Sequence, residues 1–159
     1  MERELTVGII SAGDKRYGGR IADPGEIVRD AIENKGYQIK SYTVLPDNLD
    51  MIRKELSRLC DNGLDLVVTT GGTGYSPRDC VPEATKEVAQ RFLPTITEAL
   101  RFFNRNIIKS GVISRGISAI RNNTLIINLP DTPRDASENI DYLIGTAVNE
   151  ISMYRNSAV

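Results

Sequence analysis

Apolar positions along the chain recur in two rhythms, short continuous runs of strand length and spaced stripes of helical period. Leu5 to Ser11 is a compact apolar strand, followed by a polar glycine-rich loop, Gly13 to Arg20. Asp23-Pro24-Gly25-Glu26 reads as a helix start, with Asp23 as N-cap, Pro24 at the first helical position and Glu26 completing a capping box. Gly36 is placed to end that helix, and Tyr37 to Leu45 reads as a second strand. A helix from about Leu49 to Leu59 carries Ile52, Leu56 and Leu59 on one face. The run Leu64 to Thr69 predicts a third, buried strand.

Downstream, Pro82 starts a helix to about Arg91 and Pro94 another to about Lys109. Gly116 to Arg121 and Thr124 to Asn128 form short strands around Asn122-Asn123, a hairpin turn. Thr132-Pro133 caps a long final helix to about Tyr154. Strands alternating with helices predict a three-layer α-β-α sandwich, a mostly parallel sheet with one antiparallel strand from the hairpin. The length, 159 residues, fits a single domain with its own core.

The third strand ends abruptly in Thr69-Thr70-Gly71-Gly72-Thr73-Gly74, then reaches Arg78 and Asp79. Glycine has no Cβ, so such a junction lets backbone approach a ligand closely, and in open α/β sheets the ligand crevice lies beyond the carboxyl ends of the strands. Other strand ends supply Ser11, Asp14, Lys15 and Arg16, then Asp47, then Pro130-Asp131-Thr132-Pro133-Arg134. Hydroxyls, carboxylates and basic groups meeting at one rim with glycine-loop N–H donors suit phosphate, and carboxylates suit a metal ion. Spacing alone leaves other readings open. Asp47 is also well placed as an N-cap, Asp79 as a turn carboxylate, and the glycines as a tight turn that is neither a Walker A sequence nor GxGxxG.

Composition narrows the chemistry. With no histidine, His-based acid–base catalysis and zinc ligation are excluded, and Cys60 and Cys80 do not form a CxxC pair. A formal charge of −1 and dispersed basic residues argue against nucleic acid and anionic membranes. No apolar run reaches 18 residues, and the start is too short and acidic for a signal peptide, so a soluble cytoplasmic protein is expected.

Taken together, Thr69-Thr70-Gly71-Gly72-Thr73-Gly74, Arg78-Asp79 and Pro82-Glu83-Ala84-Thr85 resemble a signature of the molybdenum cofactor biosynthesis family, the MogA and MoaB proteins and the related plant G domain. Leu45-Pro46-Asp47, Ile113-Ser114-Arg115-Gly116 and Asn128-Leu129-Pro130 reinforce the likeness in family order. The resemblance implies a molybdopterin adenylyltransferase, in which the terminal phosphate of molybdopterin attacks the α-phosphate of Mg-ATP and pyrophosphate leaves. It implies catalytic and Mg2+-holding roles for Asp47 and Asp79, and a nucleotide loop at Thr70, Gly71, Gly72, Thr73 and Gly74. The molybdopterin side would be Ser114, Arg115, Pro130, Asp131, Thr132, Pro133 and Arg134, with a weaker first-loop match at Ser11, Asp14 and Lys15. It further implies a molybdate insertase (MoeA-like) partner and a homo-oligomer, trimer or hexamer.

Two positions depart from the family pattern. Asp131 stands where glycine is usual in Leu-Pro-Gly-x-Pro, adding a charge that would repel phosphate, and Gly13-Asp14-Lys15 replaces Ser-Asp-Arg. Asp131 keeps a second reading open, a non-catalytic MoaB-like paralogue that binds pterin or nucleotide as carrier or scaffold.

Overall fold

The computed structural model describes residues 4–107, 114–129, 138–146, 149, 151 and 153. The described order is β1 (Thr6–Ala12), α1 (Asp14–Tyr17), α2 (Gly25–Asn34), β2 (Gln38–Leu45), α3 (Leu49–Asp61), β3 (Leu66–Thr70), α4 (Val81–Val88), β4 (Arg91–Phe92), α5 (Pro94–Ile107), β5 (Ser118–Arg121) and β6 (Thr124–Leu129), then helical residues 138–146, labelled α6. The sheet order is β2-β1-β3-β6-β5-β4. β1, β2, β3 and β6 are parallel, while β5 pairs antiparallel with both β6 and β4, so β5 is the one strand running against the rest.

Side chains alternate across the central strands, because successive Cβ atoms leave opposite faces. Val7, Ile9, Leu66, Val68, Leu125 and Ile127 pack on one face with Val28 and Ile32 of α2, Ile96 and Leu100 of α5, and Ile140 and Leu143 of α6. Ile10, Val67 and Ile126 face the other way, onto Ile52, Leu56 and Leu59 of α3 and Val81, Ala84 and Val88 of α4. The expected stripe on α3 is fully buried, each side chain at most 1 % exposed, and contributes about 1.5–3 kcal/mol per residue. This is the three-layer sandwich the pattern predicts. No helix among the described residues is long and apolar enough to cross a membrane.

Three local expectations change. The helix begun at Pro82 stops at Val88, not Arg91. Ala89 turns extended (ψ 133°), and Arg91–Phe92 pair with Ile120 and Ala119 as β4, too short a strand to leave a period in the sequence. Asp14–Tyr17, expected within a loop, forms one helical turn. The α2 cap shifts by one residue: Pro24 occupies the cap position, while the Asp23 carboxylate accepts from the Gly25 N–H at 2.9 Å. The hairpin is as expected, with Asn122 at φ 54°. The start of the final helix, at Thr132-Pro133, lies outside the described residues.

Candidate active site

Beyond Thr70 the backbone is forced through a gap that only glycine passes. Gly71 has φ +89°, and a Cβ there would lie 2.1 Å from the Ala12 carbonyl oxygen; Gly72, at φ +69°, would meet Val81 Cγ2 at 2.5 Å. The turn is thereby wedged between the end of β1 and the start of α4, with Thr73 buried behind it. The next six residues close on themselves. The Ser76 N–H donates to Asp79 Oδ2 at 2.9 Å, and the Asp79 N–H donates to the Ser76 carbonyl at 3.0 Å. Asp79 therefore shapes its own loop, as the turn reading required, while remaining half-buried at the rim.

Asp47 is not the N-cap of α3. Asn48 takes that role, its Oδ1 accepting from the Met51 N–H at 3.0 Å. Freed from capping, Asp47 exchanges hydrogen bonds with Asp14: the Asp14 N–H donates to Asp47 Oδ2 at 3.1 Å, and the Asp47 N–H donates to Asp14 Oδ1 at 3.0 Å. Arg78 donates to Asp14 from Nε and Nη2, both at 3.1 Å. Asp47 Oδ1 is buried, and no described group hydrogen-bonds to it. Burial pushes the Asp47 pKa above the ordinary carboxylate value; the charges of Asp14 and Asp79 add to this, and the Asp14 N–H only partly offsets it. The bond from the Asp47 N–H, with help from Arg78, instead holds Asp14 below the ordinary value.

A second network backs the first loop. Ser11, fully buried, donates to Asp23 Oδ1 at 2.5 Å, and Tyr42 donates its hydroxyl to Asp23 Oδ2. Arg29 stacks over the Tyr42 ring, its Cζ 5.3 Å from the centroid. Arg16 Nη1 donates to Ser11 Oγ at 3.2 Å and to the Thr70 carbonyl at 3.1 Å. Arg16, not Lys15, is thus the basic residue that the helical turn of α1 folds inward; Lys15 is exposed. Sequence spacing gave no sign of Asp23 and Tyr42 as partners of Ser11.

On the far side of the glycine turn, Ser114 Oγ donates to Thr73 Oγ1 at 3.3 Å. The Arg115 guanidinium is turned onto the glycine loop: Nε donates to the Gly74 carbonyl at 2.7 Å, Nη2 to the Asp79 carbonyl at 3.1 Å, and Nη1 to Glu83 Oε1. Burial alone would raise the Glu83 pKa, but the bond from Arg115, the backbone and the Arg115 and Lys86 charges together hold it below its ordinary value. Arg115 was expected on the molybdopterin side, and Glu83 carried no expected role. Burial of Cys60 pushes its thiol up to about 11, and Cys80 is also raised by burial, so neither is a poised nucleophile.

One rim thus gathers Ser11, Asp14, Asp47, Thr70, Gly71, Gly72, Thr73, Gly74, Asp79, Ser114 and Arg115. Pro130, Asp131, Thr132, Pro133 and Arg134 lie outside the described residues.

Fold and rim define a class: an α/β protein whose parallel strands end in a glycine turn flanked by carboxylates and hydroxyls, chemistry suited to a phosphorylated ligand. A family described as "Probable molybdopterin binding domain" matches residues 8–149, and the chain belongs to it. It is 37 % identical over 140 residues to a molybdopterin adenylyltransferase of Helicobacter pylori (strain J99), covering 84 % of this chain and 78 % of that protein. Against the molybdopterin adenylyltransferase of Escherichia coli (strain K12) the identity is 32 % over 143 residues, covering 86 % and 72 %. The crystal structure of the molybdopterin biosynthesis enzyme MoaB from Thermus thermophilus superposes with a TM-score of 0.88 at 34 % identity, covering 94 % of this chain and 96 % of that one.

Proposed function

We propose that this chain is a molybdopterin adenylyltransferase acting as one molybdopterin-binding domain. An oxygen of the molybdopterin terminal phosphate forms a bond to the α-phosphorus of ATP, the bond from that phosphorus to the β-phosphate oxygen breaks, and pyrophosphate leaves. Its substrates are inferred from relatives named for this activity at 32–37 % identity over most of both chains. Among features of the site, the reading rests on one observation: Asp47 presents a buried carboxylate oxygen without a hydrogen-bond donor, a few ångströms from the glycine turn.

That orphaned oxygen fits a divalent cation. Among the described residues no cluster of three or more acidic, histidine or cysteine side chains would hold a metal unaided. Mg2+ is ordinarily bound by one or two carboxylates together with substrate phosphates, so a pair suffices. Asp47 and Asp79 would hold it, and when bound it would neutralise phosphate charge. The protein's own part is positioning. Thr70, Gly71, Gly72, Thr73 and Gly74 would line the nucleotide with close backbone, Asp14 fixes the Asp47 main chain, and the pterin phosphate is assigned, on the family resemblance, to Ser114 with Pro130, Asp131, Thr132, Pro133 and Arg134. Ser11, near the end of β1, and Lys15, in α1, stand on either side of the turn at Gly13. Phosphoryl transfer needs placement and charge stabilisation more than proton transfer, which a chain without histidine can provide. The adenylated pterin would pass to a molybdate insertase in the cytoplasm, from a homo-oligomer.

The test is turnover of purified protein with Mg-ATP and molybdopterin, following pyrophosphate and adenylated pterin. Asp47→Asn and Asp79→Asn are each expected to lower kcat by about 100-fold or more while keeping the fold. A wild-type protein that binds pterin and forms no product would refute the enzymatic reading.

A further inference from the structure

Arg115 is bound too completely by its own protein to serve as a substrate ligand. Each guanidinium nitrogen has a partner, and its main-chain N–H also donates, to the Thr73 carbonyl at 2.8 Å. Three of those acceptors are carbonyls of the glycine loop, at Thr73, Gly74 and Asp79. These lie at the two ends of a segment whose middle residues, Tyr75 to Arg78, are exposed. We propose that Arg115 is a positioning residue, a clip that holds the loop from Gly74 to Asp79 in its nucleotide-receiving shape and makes no contact with the pterin phosphate. The proposal rests on reading that loop as the nucleotide site.

The physical effect of the clip is to orient amides. In a trans peptide the C=O and the following N–H point in opposite directions. With the Thr73, Gly74 and Asp79 carbonyls drawn toward Arg115, the N–H groups of Gly74, Tyr75 and Cys80 are directed away from it. Clustered N–H groups held on one side of a loop form an anion-binding concavity. A planar fork is suited to this because it satisfies two carbonyls and a carboxylate at fixed angles, which the single ammonium of lysine cannot.

The clip is itself braced. Arg101 of α5 donates from Nε to the Ser114 carbonyl at 3.2 Å and from Nη2 to the Gly116 carbonyl at 2.7 Å, fixing the main chain on both sides of Arg115. The Gly116 N–H donates to Ser114 Oγ at 3.2 Å, and that hydroxyl in turn reaches Thr73. Residues 114–116 thus form a strut between α5 and the glycine turn, and Arg115 is its end.

Arg115→Lys is the test, because it keeps the charge and removes the fork. In ligand-free protein, amide hydrogen exchange at residues 74–80 is expected to quicken about tenfold, with exchange in β1 and β3 unchanged. Calorimetry with Mg and a non-hydrolysable ATP analogue should show affinity about tenfold weaker, while molybdopterin affinity stays within about twofold. Glu83→Gln, which leaves the carbonyl bonds in place, should move both readouts in the same direction by about threefold or less. Unchanged exchange at residues 74–80 in Arg115→Lys would overturn the clip. So would a loss of pterin affinity with nucleotide affinity intact, which would make Arg115 a pterin-phosphate ligand. If the wild type binds no nucleotide, the functional reading fails on its own, and the exchange measurement still decides whether Arg115 holds the loop.

Discussion

Gly71→Ala isolates the close approach on which the site is built. The new Cβ would lie 2.1 Å from the Ala12 carbonyl oxygen and 2.5 Å from Arg16 Nη1, at φ +89°. Arg16 is a flexible side chain and can yield. Ala12 cannot, since it ends β1, is paired in register with Leu45 of β2, and is followed by the Gly13 N–H bond to the Leu45 carbonyl at 2.9 Å. The glycine turn must therefore move by more than about 1 Å to restore ordinary van der Waals contact. An L-residue at positive φ costs about 1–2 kcal/mol, and overpacking against a fixed group about 1–3 kcal/mol. Together these give about 2–5 kcal/mol, a fall in Tm of about 5–15 °C for a chain of this size. Gly36→Ala supplies the control: its φ is +86°, but nothing lies within 4 Å of the added Cβ, so only the backbone cost of about 1–2 kcal/mol applies. Scanning calorimetry and urea unfolding of both variants measure the difference, and nucleotide titration of Gly71→Ala should show weakened binding that Gly36→Ala does not. Equal Tm shifts in the two variants would refute the wedge between β1 and α4 as the constraint on the turn.

Two further outcomes follow from the same geometry. Asn128, 2 % exposed, donates from Nδ2 to Thr69 Oγ1 at 3.0 Å and to Thr85 Oγ1 at 3.1 Å, and accepts from the Ile117 N–H at 3.1 Å. Asn128→Leu should thus destabilise by about 2–4 kcal/mol through unpaired buried groups, and a urea midpoint equal to wild type would contradict this. Asp47→Asn should stabilise the metal-free protein at pH 7. The folded-state pKa of Asp47 is raised, so its ionised form costs stability above that pKa, and the cost disappears as pH falls and the carboxyl protonates in both states. Thermal unfolding in EDTA should show the variant ahead at pH 7 and level with wild type near pH 3; a constant difference across that range would sink the argument.

What the chain reveals in advance follows the reach of each interaction. Ile52, Leu56 and Leu59 are spaced for one helical face and are buried, and Val67 to Thr70 runs into glycines at a strand end, so sheet, layers and rim were legible. These depend on neighbours three or four residues away. The partners that shape the site are distant: Arg115 reaches Gly74 across 41 residues, and Arg78 reaches Asp14 across 64. No periodicity encodes such pairings. Close spacing left alternatives open. Asp47 and Asn48 both stood where a cap of α3 could be, and the structure gives the role to Asn48. Of the neighbours Lys15 and Arg16, Arg16 faces inward, because a one-residue shift in where a helix starts decides which side chain points in. β4 escaped notice because two residues in an edge pairing carry no alternation.

If the proposed function holds, an acidic rim must receive a polyanion, and the arrangement of charge bears on how it would do so. Three carboxylates, Asp14, Asp47 and Asp79, stand beyond the strand ends; burial is the main cause that raises the Asp47 pKa, and the charges of the other two add to it. The arginines nearby are largely engaged elsewhere. Arg16 holds Ser11 and the Thr70 carbonyl, Arg115 holds the loop carbonyls and Glu83, and Arg78 binds Asp14 at the exposed edge. Cations fixed in this way hold the glycine turn, while the Arg78 charge and the Asp14 N–H only partly offset the burial and negative charge that raise the Asp47 pKa. Under the proposed function, such a site would favour a metal-bound triphosphate over a bare one, with its remaining oxygens facing neutral N–H donors. On that proposal, selectivity for the metal complex over free nucleotide would come from the Asp47 carboxylate, and the shape of the turn from the arginines.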